Sequence, residues 1–268
     1  MSKIILTECP RDAFQGFPSF IPTERKVSHI NRLIKSGVRR IDFGSFVSPK
    51  AVPQMADSVA VFEDMKTRED LYLIGIVANL RGMQGIVTAN QKLGQTSNRK
   101  IHAGGFPLSI NETFQKRNTN KSLADAWSEL MMIQNLADSG DVELVVYLSM
   151  AFGNPYGEPH DTARVIEFAK HAQNLGAVTI QLADTVGVAT AEQVGETFEI
   201  VSKAVPEVQV GLHLHASRDT MKAKVEAALS AGCRLFDSAI GGIGGCPFAE
   251  DEMVGNIDTM QLLQILNE

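Results

Sequence analysis

The feature that most constrains the fold is an alternation of two kinds of segment along the whole chain. Short apolar runs rich in β-branched residues are typical of buried strands, and longer segments with helical spacing separate them. In one helical segment, for example, Val27, Ile30 and Ile34 recur every three or four positions. Eight candidate strands result, spanning residues 4–7, 40–46, 72–78, 100–106, 142–150, 178–183, 208–215 and 234–240.

Glycines and polar caps predict where the helices end and begin. Thr190 and Gln193 have the spacing of a capping box at the start of a helix. Several helical segments end in a glycine shortly before the next strand, which is the position of a left-handed cap. These glycines are Gly37, Gly94, Gly140, Gly176 and Gly232.

Eight strand-then-helix units in 268 residues, without a linker or a break in composition, favour a single (β/α)8 TIM barrel over residues 1–268. The alternative is an open doubly wound sheet. The glycine-dense stretch GGIGG follows the last strand instead of opening the first helix, which argues against that alternative. In a TIM barrel, catalytic groups lie at the C-terminal ends of the strands and in the loops that follow them.

Composition excludes several classes of partner. The net charge of −6 and the lack of a basic stripe argue against nucleic-acid binding. No apolar stretch approaches the roughly 20 residues of a membrane span, and no basic-then-apolar leader is present, so we expect no membrane partner and a cytoplasmic location. The three cysteines, Cys9, Cys233 and Cys246, have unrelated spacing and are predicted to be free thiols.

The segment TECPRDAFQG at the end of the first strand places Arg11 beside Asp12, with Gln15 close behind. A guanidinium there can stabilise a developing enolate, and a carboxylate can bind a metal ion. An ordinary surface ion pair explains the same two residues.

The segment VGLHLHAS in the seventh strand carries His213 and His215. Residues two apart in a strand face the same side, so both imidazoles can meet inside the barrel mouth, where the first strand also delivers Asp12. With Asn256 they form a mixed nitrogen and oxygen set that suits Mg²⁺ or Mn²⁺ first, with Zn²⁺ or Co²⁺ also compatible. Two hydrogen-bonded core histidines are the alternative.

Other candidates lie at strand ends. The second strand delivers Asp42, Ser45 and Lys50, and the sixth strand ends at Asp184. Asp42 can orient a ligand by a hydrogen bond, and Asp184, another acidic group at the barrel mouth, can do the same. Ordinary hydrogen-bonded carboxylates are the alternative for both.

Two loops add further candidates. Lys116 and Arg117, in the segment NETFQKRN, can meet the phosphates of a nucleotide, although solvated loop charges explain them equally well. Cys246, in the glycine-rich loop GGIGGCP, can act as an acid or base if its pKa is tuned, whereas most lone cysteines are inert.

Taken together, several motifs resemble the 3-hydroxy-3-methylglutaryl-CoA (HMG-CoA) lyase family of metal-dependent TIM-barrel enzymes. The resemblance runs nearly end to end. HLH with RD is shared by a wider superfamily that includes Claisen-type synthases, whereas SFVSPKxVPQMAD and GGxGGCP are specific to the lyases. The motifs are ECPRDAFQG, DFGSFVSPKAVPQMAD, YLSMAFGNPYGEP, LADTVG, GLHLHAS and GGIGGCPFAEDEMVGN.

The resemblance implies cleavage of HMG-CoA to acetyl-CoA and acetoacetate with the aid of Mg²⁺ or Mn²⁺. The implied metal ligands are Asp12, His213, His215 and Asn256. Arg11 would stabilise the enolate of acetyl-CoA, and Asp12 or His213 would take the hydroxyl proton. The resemblance further implies a homodimer that serves leucine degradation or ketone-body metabolism.

By the same resemblance, Cys246 would protonate the carbanion from a mobile loop at about 241–256. The catalytic set is then Arg11, Cys246, Asp42 and His213. The residues expected to contact the acyl-CoA substrate are Gln15, Ser45, Lys50, Asp184, Lys116 and Arg117.

The sequence departs from the family pattern at two carboxylates. Asp42 stands where many members have glutamate, and Met260 stands where the family usually has a second glutamate. Methionine cannot accept a charge-assisted hydrogen bond, so Asp258 or Glu252 would have to replace that carboxylate. Lower activity or a modified substrate range is therefore a hypothesis.

Two other functions stay open. One is a related acyl-CoA lyase, aldolase or Claisen-type synthase with another substrate, against which the GGCP motif argues. The other is a catalytically impaired paralogue that binds metal and acyl-CoA, which Met260 motivates.

Overall fold

The computed structural model describes residues 3–94, 99–244 and 254–267, and these form a closed barrel of eight parallel strands. Each strand pairs with the next along the chain, and β1 closes the barrel against β8. The predicted (β/α)8 TIM barrel is confirmed. The strands are β1 (Ile5–Glu8), β2 (Arg40–Ser45), β3 (Tyr72–Ile76), β4 (Ala103–Ser109), β5 (Glu143–Ser149), β6 (Thr179–Asp184), β7 (Gln209–Leu214) and β8 (Leu235–Ser238).

Helices surround the barrel and cover the outward faces of the strands with one large apolar core. Within the described ranges, no helix is both long enough and apolar enough to cross a membrane. The helices are α1 (Pro10–Gln15), α2 (Thr23–Lys35), α3 (Ser58–Asp64), α4 (Leu80–Gly94), α5 (Glu112–Thr119), α6 (Leu123–Ser139), α7 (Thr162–Leu175), α8 (Ala191–Ala204), α9 (Arg218–Ser230) and α10 (Thr259–Ile265).

All eight predicted strands are present, and only β4 differs markedly in position. It begins at Ala103, whereas the sequence pattern begins at residue 100. The side chain of Asn90 explains the difference, because its amide accepts from the backbone N–H of Ile101 at 2.8 Å and donates to the Ile101 carbonyl at 2.9 Å. Both backbone groups of Ile101 are thereby withheld from the strand ladder.

The predicted helix caps are confirmed in part. Thr190 and Gln193 form the capping box, and the helix-terminal glycines Gly37, Gly176 and Gly232 have the positive φ of a left-handed cap. Two glycine predictions were wrong. Gly140 has a φ of −95°, because the left-handed conformation falls on the next residue, Asp141, and Gly94 is the last residue of α4 instead of a left-handed cap.

The interior of the barrel has an apolar half and a polar half. Strands β3, β4 and β5 contribute a small apolar cluster that is separate from the outer core and consists of Ile74, Ile76, Ala103, Val145 and Tyr147. Strands β2, β6, β7 and β8 contribute the buried polar residues Asp42, Gln181, His213 and Asp237. Side chains alternate between the two faces of a strand, so this division depends on which residues occupy the positions that point into the barrel.

Candidate active site

Arg11 and Asp12 lie on α1, a short helix that starts directly after β1 with Pro10 in its first turn. The Arg11 guanidinium donates through Nε and Nη2 to Asp42 Oδ2 at 3.0 and 2.5 Å. Its Nη1 donates to Asp12 Oδ1 at 2.9 Å and to Gln15 Oε1 at 3.1 Å. The structure therefore brings together Arg11, Asp12, Gln15 and Asp42 at the C-terminal mouth of the barrel.

His213 and His215 face the same side of the chain at the end of β7, with their ring centroids 5.1 Å apart. Nδ1 of His215 lies 2.8 Å from the carbonyl oxygen of Val254, which only accepts, so this nitrogen carries the proton. Nδ1 of His213 lies 3.1 Å from Asp237 Oδ2. Both rings are therefore anchored through Nδ1, which leaves Nε2 for another ligand.

Asn256 lies beside these groups, on the chain that returns to the barrel after the glycine-rich loop. It forms an antiparallel bridge with His215, and its Nδ2 donates to Asp12 Oδ2 at 2.6 Å and to the Ile243 carbonyl at 2.9 Å. Gly244 packs on the same side chain. A Cβ at this glycine would lie 2.4 Å from Asn256 Nδ2, and its φ is +111°, so only glycine fits.

The donor set fits a divalent cation. Ligand atoms of Asp12, His213 and His215 all lie within 4.8 Å of one another. Among the described residues, the site contains three buried carboxylates (Asp12, Asp42 and Asp237) and one guanidinium, which leaves an excess of two negative charges when the imidazoles are neutral. A dication would balance that excess, and its coordination would use carboxylate, imidazole and amide groups.

The protonation states of the site favour the binding of a cation. Burial alone would raise the pKa of Asp12, but the Arg11 guanidinium and the two imidazoles lower it to about 2. Burial raises the pKa of Asp42 to about 6 against the opposing effect of Arg11. Burial, followed by the neighbouring His213, lowers the pKa of His215. At neutral pH both carboxylates are therefore ionised and His215 is neutral.

A cavity of about 450 Å³ opens above this cluster. Arg11, Asp12, His213 and His215 lie at one side of it, and a turn after α5 that includes Lys121 lies at another. Three predicted substrate contacts line the cavity, namely Gln15, Ser45 and Arg117. The guanidinium of Arg117 also stacks over the ring of Tyr156, 4.8 Å from its centroid.

The other predicted substrate contacts are placed differently. Lys50 and Lys116 are exposed, Lys116 pairs with Glu112 at 3.2 Å, and neither is on the part of the cavity wall that the structure describes. Asp184 is buried and faces outward from β6. Its neighbour Ala183 lines the cavity, and successive side chains of a strand point to opposite sides. It contacts a helix instead of the cavity.

Predictions for the glycine-rich loop fall partly outside the described residues. Cys246, Glu252 and most of the loop expected at about 241–256 lie there, whereas Cys9 and Cys233 are buried free thiols, as predicted. Asp258 caps α10 by accepting from the Met260 N–H at 2.9 Å. Met260 is 57% exposed and belongs to the outer surface.

Sequence reasoning missed two buried groups that support the site. Asp237 on β8 contacts His213, as described above. Lys224 on α9 donates to Asp184 Oδ2 at 2.7 Å, to the Gly187 carbonyl at 3.1 Å and to the His215 carbonyl at 3.2 Å. Strand parity could have indicated Asp237, which lies on β8 with inward parity, but no motif in the sequence marks Lys224.

Both ends of the glycine-rich loop are tied to a buried carboxylate outside the barrel wall. Glu8 accepts from the backbone N–H of Ile240 at 2.8 Å and from the hydroxyl of Thr259 at 2.5 Å. Ile240 precedes the loop, and Thr259 follows Asn256 by three residues. Burial raises the pKa of Glu8 to about 7 against the effect of these two hydrogen bonds.

Glu8 is expected to make the stability of the protein depend on pH. Between its ordinary pKa of 4.5 and about 7, folded Glu8 holds a proton that the unfolded chain releases, so its stabilising contribution is complete below pH 4.5 and is lost as pH rises through 7. Relative to Glu8→Gln, the wild type should lose about 2–3 kcal/mol of unfolding free energy between about pH 5 and pH 8. Urea unfolding across this range measures the difference. The control is Glu167→Gln on the exposed face of α7, and parallel curves for wild type and Glu8→Gln would contradict the expectation.

The chain is similar to known acyl-CoA lyases in sequence and in structure. The chain matches the family model described as HMGL-like over residues 3–268. It is 30% identical over 267 residues to hydroxymethylglutaryl-CoA lyase YngG of Bacillus subtilis, covering 99% of this chain and 86% of that protein. It is 37% identical over 273 residues to (R)-citramalyl-CoA lyase of Chloroflexus aurantiacus, covering 98% and 83%. A solved HMG-CoA lyase from Acinetobacter baumannii, in complex with coenzyme A and 3-methylmalate, has a TM-score of 0.90 and 32% identity, covering 99% and 83%.

Proposed function

Because this chain belongs to the HMGL-like family, we propose that it is a divalent-metal-dependent carbon–carbon lyase that cleaves HMG-CoA to acetyl-CoA and acetoacetate. One observation carries the proposal. Asp12, His213, His215 and Asn256 meet beside Arg11 at the mouth of a TIM barrel, and the first three line, together with Arg11, a cavity large enough for an acyl group. Such a set of ligands next to a buried cation suits a reaction that develops an enolate.

Asp12, His213, His215 and Asn256 would hold the metal ion, for which Mg²⁺ and Mn²⁺ are the first candidates. When bound, such an ion polarises hydroxyl and carbonyl oxygens as a Lewis acid. The hydroxyl proton has two candidate acceptors. The lowered pKa of Asp12 makes it a weak base, and His213, whose Nδ1 faces the Asp237 carboxylate, can accept a proton only through Nε2 while that nitrogen is not bound to the metal ion.

Arg11 would stabilise the enolate that forms when the carbon–carbon bond breaks. Its described contacts with Asp42, Asp12 and Gln15 use four of its five N–H groups. The remaining N–H, on Nη2, can donate to the substrate oxygen. Asp42 fixes the plane of the guanidinium by accepting from two of its nitrogens. This rigid placement means that little reorganisation is needed when charge develops.

Cys246 would then protonate the enolate carbon, and Arg117 would meet the phosphates of coenzyme A at the cavity wall. Lys50, Lys116 and Asp184 stay predictions as substrate contacts. The family resemblance also supports a homodimer that acts in leucine degradation or ketone-body metabolism.

A steady-state assay tests the proposed reaction. Purified protein with Mg²⁺ or Mn²⁺ should release acetoacetate from HMG-CoA, and Cys246→Ala should lower kcat about 10²-fold because the proton donor is lost while the metal ligands remain. The control is Cys233→Ala, since this buried thiol lies between α9 and β8. Release of no acetoacetate at any concentration of either metal would eliminate the proposal.

A second substrate deserves the same assay, because the relative from Chloroflexus aurantiacus is named (R)-citramalyl-CoA lyase and is 37% identical. Citramalyl-CoA lacks one methylene between the carbinol carbon and the free carboxylate, and its cleavage gives pyruvate in place of acetoacetate. Pyruvate without acetoacetate would identify that reaction. Metal binding without turnover of either thioester would identify a catalytically impaired paralogue.

A further inference from the structure

We propose that Asp237 is a positioning residue for the metal site, which fixes the His213 ring with Nε2 toward the ligand cluster and supplies part of the negative charge that a dication balances. The inference rests on the proposed metal-dependent function and extends it to a residue outside the ligand set. Asp237 belongs to β8, whereas the cluster is built from α1, β7 and the chain that follows the glycine-rich loop.

The carboxylate of Asp237 is held between two strands inside the barrel. Its Oδ1 accepts from Gln181 Nε2 at 2.7 Å, and its Oδ2 lies 3.1 Å from His213 Nδ1. The residue is 1% exposed. Gln181, Asp237 and His213 therefore form a continuous hydrogen-bonded line across β6, β8 and β7 beneath the cavity.

This line determines the tautomer of His213. An ionised carboxylate only accepts hydrogen bonds, so Nδ1 of the ring must carry the proton. The open lone pair then belongs to Nε2, and ligand atoms of His213, Asp12 and His215 lie within 4.8 Å of one another. The carbonyl of Val254 makes the same choice for His215, so both imidazoles are prepared in the form that binds a metal ion.

Asp237 also contributes charge without taking part in coordination. Of the three carboxylates near the site, Asp12 and Asp42 both pair with Arg11, whereas Asp237 contacts His213 and has the buried Cys9 thiol within 4.8 Å. In a buried site this charge acts over a short distance with little screening by water. Asp237 is therefore expected to strengthen cation binding even though His213 lies between it and the cluster.

Gln181 makes a conservative test feasible. Its Oε1 has no hydrogen-bond partner among the described residues, and a Cβ at Gly211 would lie 2.3 Å from that oxygen, so the glycine provides the space. In Asp237→Asn, the new amide oxygen can still accept from His213 Nδ1. Rotation of the Gln181 amide then lets Oε1 accept from the new amide nitrogen, which satisfies the whole line without a charge.

The experiment measures Mn²⁺ affinity of the full-length protein by titration calorimetry in the absence of substrate. Asp237→Asn should bind Mn²⁺ about 10- to 100-fold more weakly than the wild type. The control is Gln181→Met, which removes a hydrogen bond of Asp237 but retains its charge and its contact with His213, and should stay within about threefold of the wild type. Equal affinity of Asp237→Asn and wild type would overturn the role of Asp237, as would equal losses in both variants.

A second measurement uses the wild type and does not depend on the folding of a variant. Nitrogen-15 NMR of the Mg²⁺-loaded protein should show His213 with a protonated Nδ1 and an unprotonated Nε2, and the opposite tautomer would overturn the proposal. A wild type that binds neither ion would overturn the proposed function together with this inference. A wild type that binds Mn²⁺ but not more tightly than Asp237→Asn would overturn the inference alone.

Discussion

Arg11→Met is expected to lower kcat/KM for the thioester about 10³-fold, because the variant loses the cation that in the proposed reaction lies next to the developing enolate. The same change leaves Asp12 and Asp42 without their shared guanidinium, which raises the negative excess at the site from two charges to three. Metal binding should therefore be retained or tightened while turnover falls. Kinetics with HMG-CoA and Mn²⁺ calorimetry on the same preparation measure the two effects separately.

The control for this prediction is Arg39→Met, since Arg39 is exposed and pairs with Asp70 on the surface. Arg11→Lys adds a second comparison, because it retains the charge but cannot donate to Asp42 through two nitrogens in one plane. An Arg11→Met enzyme with more than a tenth of wild-type activity would contradict the assigned role. Parallel loss of metal binding and activity would instead indicate a collapsed site.

Lys224→Met is expected to lower the free energy of unfolding by about 3–5 kcal/mol, since it leaves the buried Asp184 carboxylate without its counter-charge. Lys224 is 2% exposed, and its ammonium also donates to two backbone carbonyls at the ends of β6 and β7, so three acceptors lose their donor at once. Urea unfolding monitored by circular dichroism measures the loss.

Two companion variants make this prediction specific. Lys222→Met, on the exposed side of the same helix and paired with Glu226 at 3.8 Å, should change stability by no more than about 0.5 kcal/mol. The double variant Lys224→Met/Asp184→Asn should recover part of the loss, because it removes the uncompensated charge. Equal stability of the double and single variants would contradict the pairing as the cause.

The fold was predictable because each strand carries its own signal. Apolar β-branched runs recur at the required spacing, and the barrel needs no information beyond their number and the helices between them. The exception at the start of β4 arises from Asn90, whose side chain competes for the backbone of Ile101. Such competition depends on a contact between a helix residue and a residue 11 positions later, before the strand begins, which periodicity does not report.

The site was predictable where motifs place side chains at strand ends, as for Arg11, Asp12, His213 and His215. The site was not predictable where the orientation of a strand decides whether a side chain points into the barrel or away from it. Asp184 pairs in register with Leu214, so it shares the outward side of that residue and not the inward side of His213. The partner of Asp184, Lys224, lies 40 residues away on a helix, and only the three-dimensional packing brings the two together.

The division of the barrel interior assigns two properties, the reactive groups and the shape of the acyl cavity, to different strands. The charged strands govern what the enzyme can do to a carbon–carbon bond, whereas Ile76 and Tyr147 on β3 and β5 border the same cavity from the apolar side. Remodelling Ile76 alters the volume and shape that an acyl chain meets without removing an ionic contact, whereas Tyr147 also packs edge-to-face on the His213 ring, with centroids 5.8 Å apart. The scaffold can therefore acquire new thioester substrates through changes on the apolar strands, while the reactive groups on the polar strands stay the same.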